Sequence, residues 1–137
     1  MSAHPTLRDG TQATVIDASA LLALLNNEPG AEKVAHHLPH SLICSVNHSE
    51  VVAKLAEIGM DENLIRKALN GLGLQIIPFD ETLSFVAGFL RPKTKTLGLS
   101  LGDRACLALA LTHQLKVLTA DRDWPKARLG IAMEVIR

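Results

Sequence analysis

Short apolar runs, each feeding a helical segment, constrain the fold of this chain more than any other feature. Ala13–Asp17 (ATVID), Ser41–Ser45 (SLICS), Leu74–Pro78 (LQIIP) and Lys116–Thr119 (KVLT) are rich in β-branched and aliphatic residues. None shows the polar/apolar alternation of a half-exposed strand, so each reads as a strand covered on both faces. Between them lie segments with helical spacing and polar stops. These are Ala18–Asn26, Ala31–Leu38 closed by Pro39, His48–Ile58 stopped by Gly59, Asp61–Asn70, and Asp80 or Thr82 to Leu90. The stretch Leu99–Trp124 repeats the theme as a helix delivered into a strand. Gly102 precedes that helix, Asp103 stands at its mouth, and Leu107, Ala108, Leu111 and Leu115 supply an apolar face. Ile131–Ile136 offers a last, edge strand, and Arg91–Thr96 reads as a basic polar loop. Strands alternating with helices specify an α/β fold with a central parallel sheet of four to five strands and helices on both faces.

At 137 residues the chain fits one domain, with residues 1–13 as a loose polar tail and 14–137 as the folded unit. Hydrophobic residues make up 47% and charged residues 20%, a globular balance. The formal charge is zero but unevenly spread. Residues 1–90 hold five Lys/Arg against ten Asp/Glu, and residues 91–137 hold nine against four. A basic C-terminal third beside an acidic pocket suits a phosphate-bearing substrate, although solvated surface charge explains it equally well. The two cysteines, Cys44 and Cys106, lie in apolar runs and have neither zinc spacing nor a disulfide framework, so both read as buried thiols. No 18-residue apolar segment and no signal-peptide core is present, which predicts a cytoplasmic protein without a membrane span.

The chemistry is carried by acids. In open parallel sheets ligands bind beyond the carboxyl ends of the strands, where strand order reverses. Asp17 ends the first strand and Asp121 follows the fourth. Glu50 is expected in the first turn of the helix after the second strand, and Asp103 opens a helix that reaches the same end. Asp123 is a fifth member or a neighbour. Carboxylates gathered in one place repel unless a cation or a proton separates them. A hard oxygen donor set without clustered His or Cys selects Mg²⁺ or Mn²⁺ over zinc. Helix capping alone accounts for Glu50 and Asp103, and turn chemistry for Asp121; Asp17, abutting an apolar strand, is the hardest to dismiss. His36, His37 and His40 sit at a helix end and read as surface. No Gly-rich phosphate loop occurs, and Asp17-Ala18-Ser19 lacks the second Asp of an aspartyl-phosphate enzyme.

Four segments together carry a family resemblance: Val15–Ala23 (VIDASALLA), Ser45–Val51 (SVNHSEV), Leu99–Arg104 (LSLGDR) and Leu118–Trp124 (LTADRDW). In this order, over Thr14–Ile136, the chain resembles the PIN-domain nucleases, and among them the VapC-type toxins of bacterial toxin–antitoxin pairs. The resemblance implies an α/β/α sandwich and Mg²⁺- or Mn²⁺-dependent endoribonuclease activity. It puts Asp17, Glu50, Asp103 and Asp121 on the catalytic and metal-holding positions, and Ser19 and Thr119 on supporting hydroxyl positions; Asp123 has no clear counterpart. It also implies a homodimer and a cognate antitoxin. Arg104, Arg122, Lys93 and Lys95 are candidate contacts to RNA phosphates. With one Trp, three Phe and no Tyr, base stacking has few platforms. Rival readings are a PIN-like interaction module without activity, or another phosphoryl-transfer hydrolase.

Overall fold

A computed structural model describes residues 13–137. Five parallel strands, β1 (Thr14–Ile16), β2 (Ser41–Cys44), β3 (Gln75–Ile77), β4 (Lys116–Thr119) and β5 (Met133–Val135), lie in the order β3-β2-β1-β4-β5. Seven helices connect them among the described residues: α1 (Ala18–Leu25), α2 (Ala31–His37), α3 (Ser45–Glu57), α4 (Glu62–Asn70), α5 (Glu81–Phe89), α6 (Arg91–Thr94) and α7 (Leu101–His113). The chain begins mid-sheet at β1, builds outward through β2 and β3, then crosses back to lay β4 on the other side of β1. The reversal of strand order therefore falls between β1 and β4. No helix among the described residues is long and apolar enough to cross a membrane.

Strand residues alternate between two cores. Val15, Leu42, Cys44 and Val117 face one layer, where α5 and α7 pack; Ile16, Ile43 and Leu118 face the other, with Leu21, Val34, Val51, Leu55, Ile65 and Leu69 from α1–α4. Both layers are closed over the central strands β1, β2 and β4, as their unbroken apolar runs require; β3, read as covered on both faces, is instead exposed at Gln75 and Ile76 because it lies at the edge of the sheet.

Several boundaries differ from the sequence expectation for definable reasons. Ala13, assigned to the tail, is buried at 2% exposure in the core; the rest of that tail, residues 1–12, lies outside the described residues. The helix expected from His48 begins at Ser45. Cys44 is its extended N-cap residue, and the Ser45 hydroxyl instead accepts the Phe79 N–H at 3.0 Å. The basic loop over Arg91–Thr96 is in fact α6 followed by a 3₁₀ turn, Lys95–Leu97. Pro92 is tolerated there because it occupies the first turn, where its missing N–H has no helical partner to lose. Helix α7 is not amphipathic: Ala105 to Ala110 are buried without exception, because the helix is wedged between the sheet and α5, with α3 against its start.

Candidate active site

The register of β1 against β4 builds the centre of the site. Ile16 pairs with Leu118, and the Asp17 N–H donates to the Leu118 carbonyl, which sets Asp17 beside Thr119 where the strand order reverses. Asp17 is 4% exposed. It is also the N-cap of α1, its Oδ1 accepting the Ala20 N–H at 2.8 Å. Asp17 thus has a helix-capping role, as Asp103 does.

Two hydroxyls complete its shell. Ser19 Oγ donates to Asp17 at 2.7 and 2.8 Å, and Thr119 Oγ1 donates to Oδ2 at 2.6 Å. Each hydroxyl in turn accepts a backbone N–H, Ser19 from Ala120 and Thr119 from Asp121. Those N–H groups fix the hydroxyl hydrogens toward the carboxylate and clip the loop after β4 onto the start of α1. Burial nevertheless outweighs these donors and pushes the Asp17 pKa from 3.8 up to about 6, with the nearby Asp103 charge adding to the rise. No cation offsets it: among the described residues, none of the ion pairs includes Asp17, Glu50, Asp103 or Asp121.

The remaining acids arrive from three elements. Asp103 stands in the first turn of its helix, but Gly102 lies inside that helix and not before it. The helix starts at Leu101, and Asp103 is the third residue of a capping box in which Ser100 Oγ accepts the Asp103 N–H and Asp103 Oδ2 accepts the Ser100 N–H. Glu50 is not in the first turn of α3, because that helix starts three residues earlier than expected; it lies in the second turn, exposed. Its carboxylate is nonetheless held at the start of α7: a Cβ added to Gly102 would lie 2.7 Å from Glu50 Cδ. Asp121 is joined to Asp17 through Thr119, and its own Oδ1 accepts the Asp123 N–H at 2.8 Å. Asp17, Asp103 and Glu50 all bear on the Cys106 thiol beneath them, which burial first and their charges next hold well above its usual pKa. Cys44 and Cys106 are both fully buried and free.

Asp17, Asp103 and Glu50 thus share one rim above Cys106, and Asp121 is tied to Asp17 through its own N–H and Thr119. They do not close into a cage: among the described residues, no three His, Cys, Asp or Glu side chains are set to hold one ion. Each carboxylate takes a local protein donor instead. That arrangement fits a hydrated hard cation, since Mg²⁺ keeps several waters and is gripped by one or two carboxylates. Asp17, whose charge Asp103 opposes, and Asp103 itself are the two that would hold such an ion.

The other sequence candidates take the following places. Asp123 is drawn away by Lys126, 2.8 Å from its Oδ1. Arg104 is partly buried and donates to the Ala87 carbonyl of α5 at 3.0 Å, and Arg122 donates to the Arg137 carbonyl. Both therefore spend at least one N–H on the fold. Lys93 and Lys95 are exposed on α6 and the turn after it. His48 lines a groove of about 370 Å³ between α3 and α4, apart from the acids; of the three histidines read as surface, His36 is exposed, while His37 and His40 are half-buried. Asn47, not singled out from the sequence as a site residue, is 1% exposed and bonded to both Glu50 and Gly102. Its spacing of three from Glu50, which stacks the two on one helix face, was the available signal.

A PIN domain family model matches residues 14–129. The chain belongs to the PIN domain family. Solved structures with this PIN fold include a toxin–antitoxin complex from Klebsiella pneumoniae, with 23% identity, 91% of this chain and 98% of that one covered, and a TM-score of 0.72. Others are FitAcB from Neisseria gonorrhoeae (21%, 88% and 95% covered, 0.68) and DNA-bound VapBC from Salmonella typhimurium (17%, 93% and 100%, 0.72). At such identities the likeness speaks for the fold. The sequence matches no curated protein significantly.

Proposed function

We propose that this PIN domain is a Mg²⁺- or Mn²⁺-dependent endoribonuclease of the VapC type, the toxin half of a toxin–antitoxin pair. One observation carries the reading: Asp17 is a buried carboxylate with no cationic partner among the described residues, held at the strand-order reversal beside Asp103. A protein retains such an uncompensated pair at a cost, and a bound divalent cation removes it. Once bound, that cation lowers the pKa of a coordinated water and stabilises negative charge developing on a phosphodiester.

The chain's own residues supply orientation. Ser19 and Thr119 hold the Asp17 carboxylate in one rotamer; Glu50 and Asp121 offer acceptor oxygens that orient an attacking water or take its proton. Arg104, Arg122, Lys93 and Lys95 flank the rim as phosphate contacts from the basic C-terminal third. The partner reading draws on the neighbours, several of which are toxin–antitoxin complexes. A homodimer is supported by Phe85, Phe89 and Leu101, which are 59%, 71% and 53% exposed on the α5 and α7 side.

Incubation with total RNA tests the activity. Cleavage is expected only with added Mg²⁺ or Mn²⁺ and is lost in Asp17→Asn and Asp103→Asn. Cleavage in excess chelator, or undiminished cleavage by either variant, overturns it. The rival reading, an interaction module without activity, is favoured by the absence of a three-carboxylate cage among the described residues. It predicts no cleavage and no metal effect on thermal stability.

A further inference from the structure

We infer that Asn47 is the positioning residue of this rim, bracing the Glu50 carboxylate against Gly102 at the start of α7; this rests on the nuclease reading above. Both Nδ2 hydrogens are committed, one to Glu50 Oε1 at 3.0 Å and one to the Gly102 carbonyl at 2.9 Å. The amide orientation follows from these partners, because the flipped group would set its oxygen against two acceptors. One bond stays within α3; the other spans 55 residues to α7. Asn47 is buried while Glu50 is exposed, so the fixed group lies inside and grips the mobile one.

Gly102 forms the other half of the brace. The place its Cβ would take is filled by the Glu50 carboxylate. Any side chain there displaces Glu50, and loss of the Asn47 amide frees it. An exposed Glu ordinarily samples many rotamers, and ordering it on binding costs affinity. Here the ordering is complete before any ion or substrate arrives. The Asn47 Oδ1 is buried with no partner among the described residues, so the Nδ2 bonds account for the side chain's placement.

The test separates this role from simple helix-to-helix pinning. In metal-free protein, ¹³C relaxation of the Glu50 carboxylate is expected to report one rotamer in the wild type and averaging in both Asn47→Ala and Gly102→Ala. The second variant keeps the Asn47 side chain and places a better helix former in α7, so it guards against a folding failure of the first. Titration with MnCl₂, followed by electron paramagnetic resonance, is expected to show about tenfold weaker binding in each, the factor that regained rotamer freedom implies. In a Glu50→Gln background, Asn47→Ala should add nothing further. A rigid Glu50 in both variants, or equal losses with and without the Glu50 carboxylate, overturns the inference. Absent Mn²⁺ binding by the wild type overturns the nuclease reading instead, and the metal-free relaxation still decides the role of Asn47.

Discussion

Replacing Asp17 with Asn should stabilise the metal-free protein at neutral pH. The folded carboxyl binds its proton more tightly than the unfolded one, with a pKa of about 6 against 3.8. Its contribution to stability is therefore complete below the unfolded value and lost as pH rises through the folded one. A rise of about two units corresponds to about 3 kcal/mol of cost for charging the group at pH 7.5. Asn carries no charge and keeps an oxygen for the Ala20 N–H. It gives up one acceptor oxygen, and Thr119 must turn to receive its NH₂, which returns part of the gain. The net expectation is roughly 1–3 kcal/mol, or about 3–10 °C in Tm for a domain of this size. Differential scanning calorimetry in chelator, at pH 7.5 and again at pH 4, measures it. The advantage should shrink or vanish at pH 4, where the wild-type carboxyl is largely protonated in the folded state. Added Mg²⁺ should raise the wild-type Tm and leave the variant nearly unmoved. A variant less stable than wild type at pH 7.5, or one with the same advantage at both pH values, refutes the claim that burial of an unpaired charge strains this site.

Three further outcomes follow from the same geometry. Thr119→Val removes the donor on Asp17 Oδ2, so the Asp17 pKa should climb above about 6 in a ¹³C carboxylate titration, with a loss of about 1–3 kcal/mol in urea denaturation. Leu107→Ala, in the fully buried middle of α7, should cost about 2–5 kcal/mol by the same assay without altering Mn²⁺ affinity. Phe85→Glu with Phe89→Glu should leave folding intact, since both side chains are exposed, and should shift any dimer to monomer in sedimentation velocity.

The fold was legible because buried parallel strands need continuous apolar runs, and KVLT occupies the strand its composition announced. Helix starts were less so. Ser45 and Asn47 both look like caps, yet Cys44 takes that position, and a three-residue slip moved Glu50 from the first turn to the second. Sequence pattern does not reveal that Ser45 is claimed by a distant backbone N–H. The amphipathic reading of α7 failed because alanines are compatible with either a buried or an exposed face, and tertiary packing chose burial. At the site, the position of Asp17 at the end of β1 could be read from its place after an apolar run. What each carboxylate touches could not, because Asp17 meets Thr119 across 102 residues and Asn47 meets Gly102 across 55.

Both outer strands of the sheet, β3 and β5, are only three residues long, and Glu134 in the middle of β5 is salt-bridged to Lys116 on its neighbour. Borders this brief, one of them charged, give a foreign polypeptide little backbone to zip onto. Association by extending the sheet is thereby discouraged, and so is fibrillar stacking at high expression. The surface left for association is the helical flanks, where side-chain shape and not main-chain pairing decides what fits.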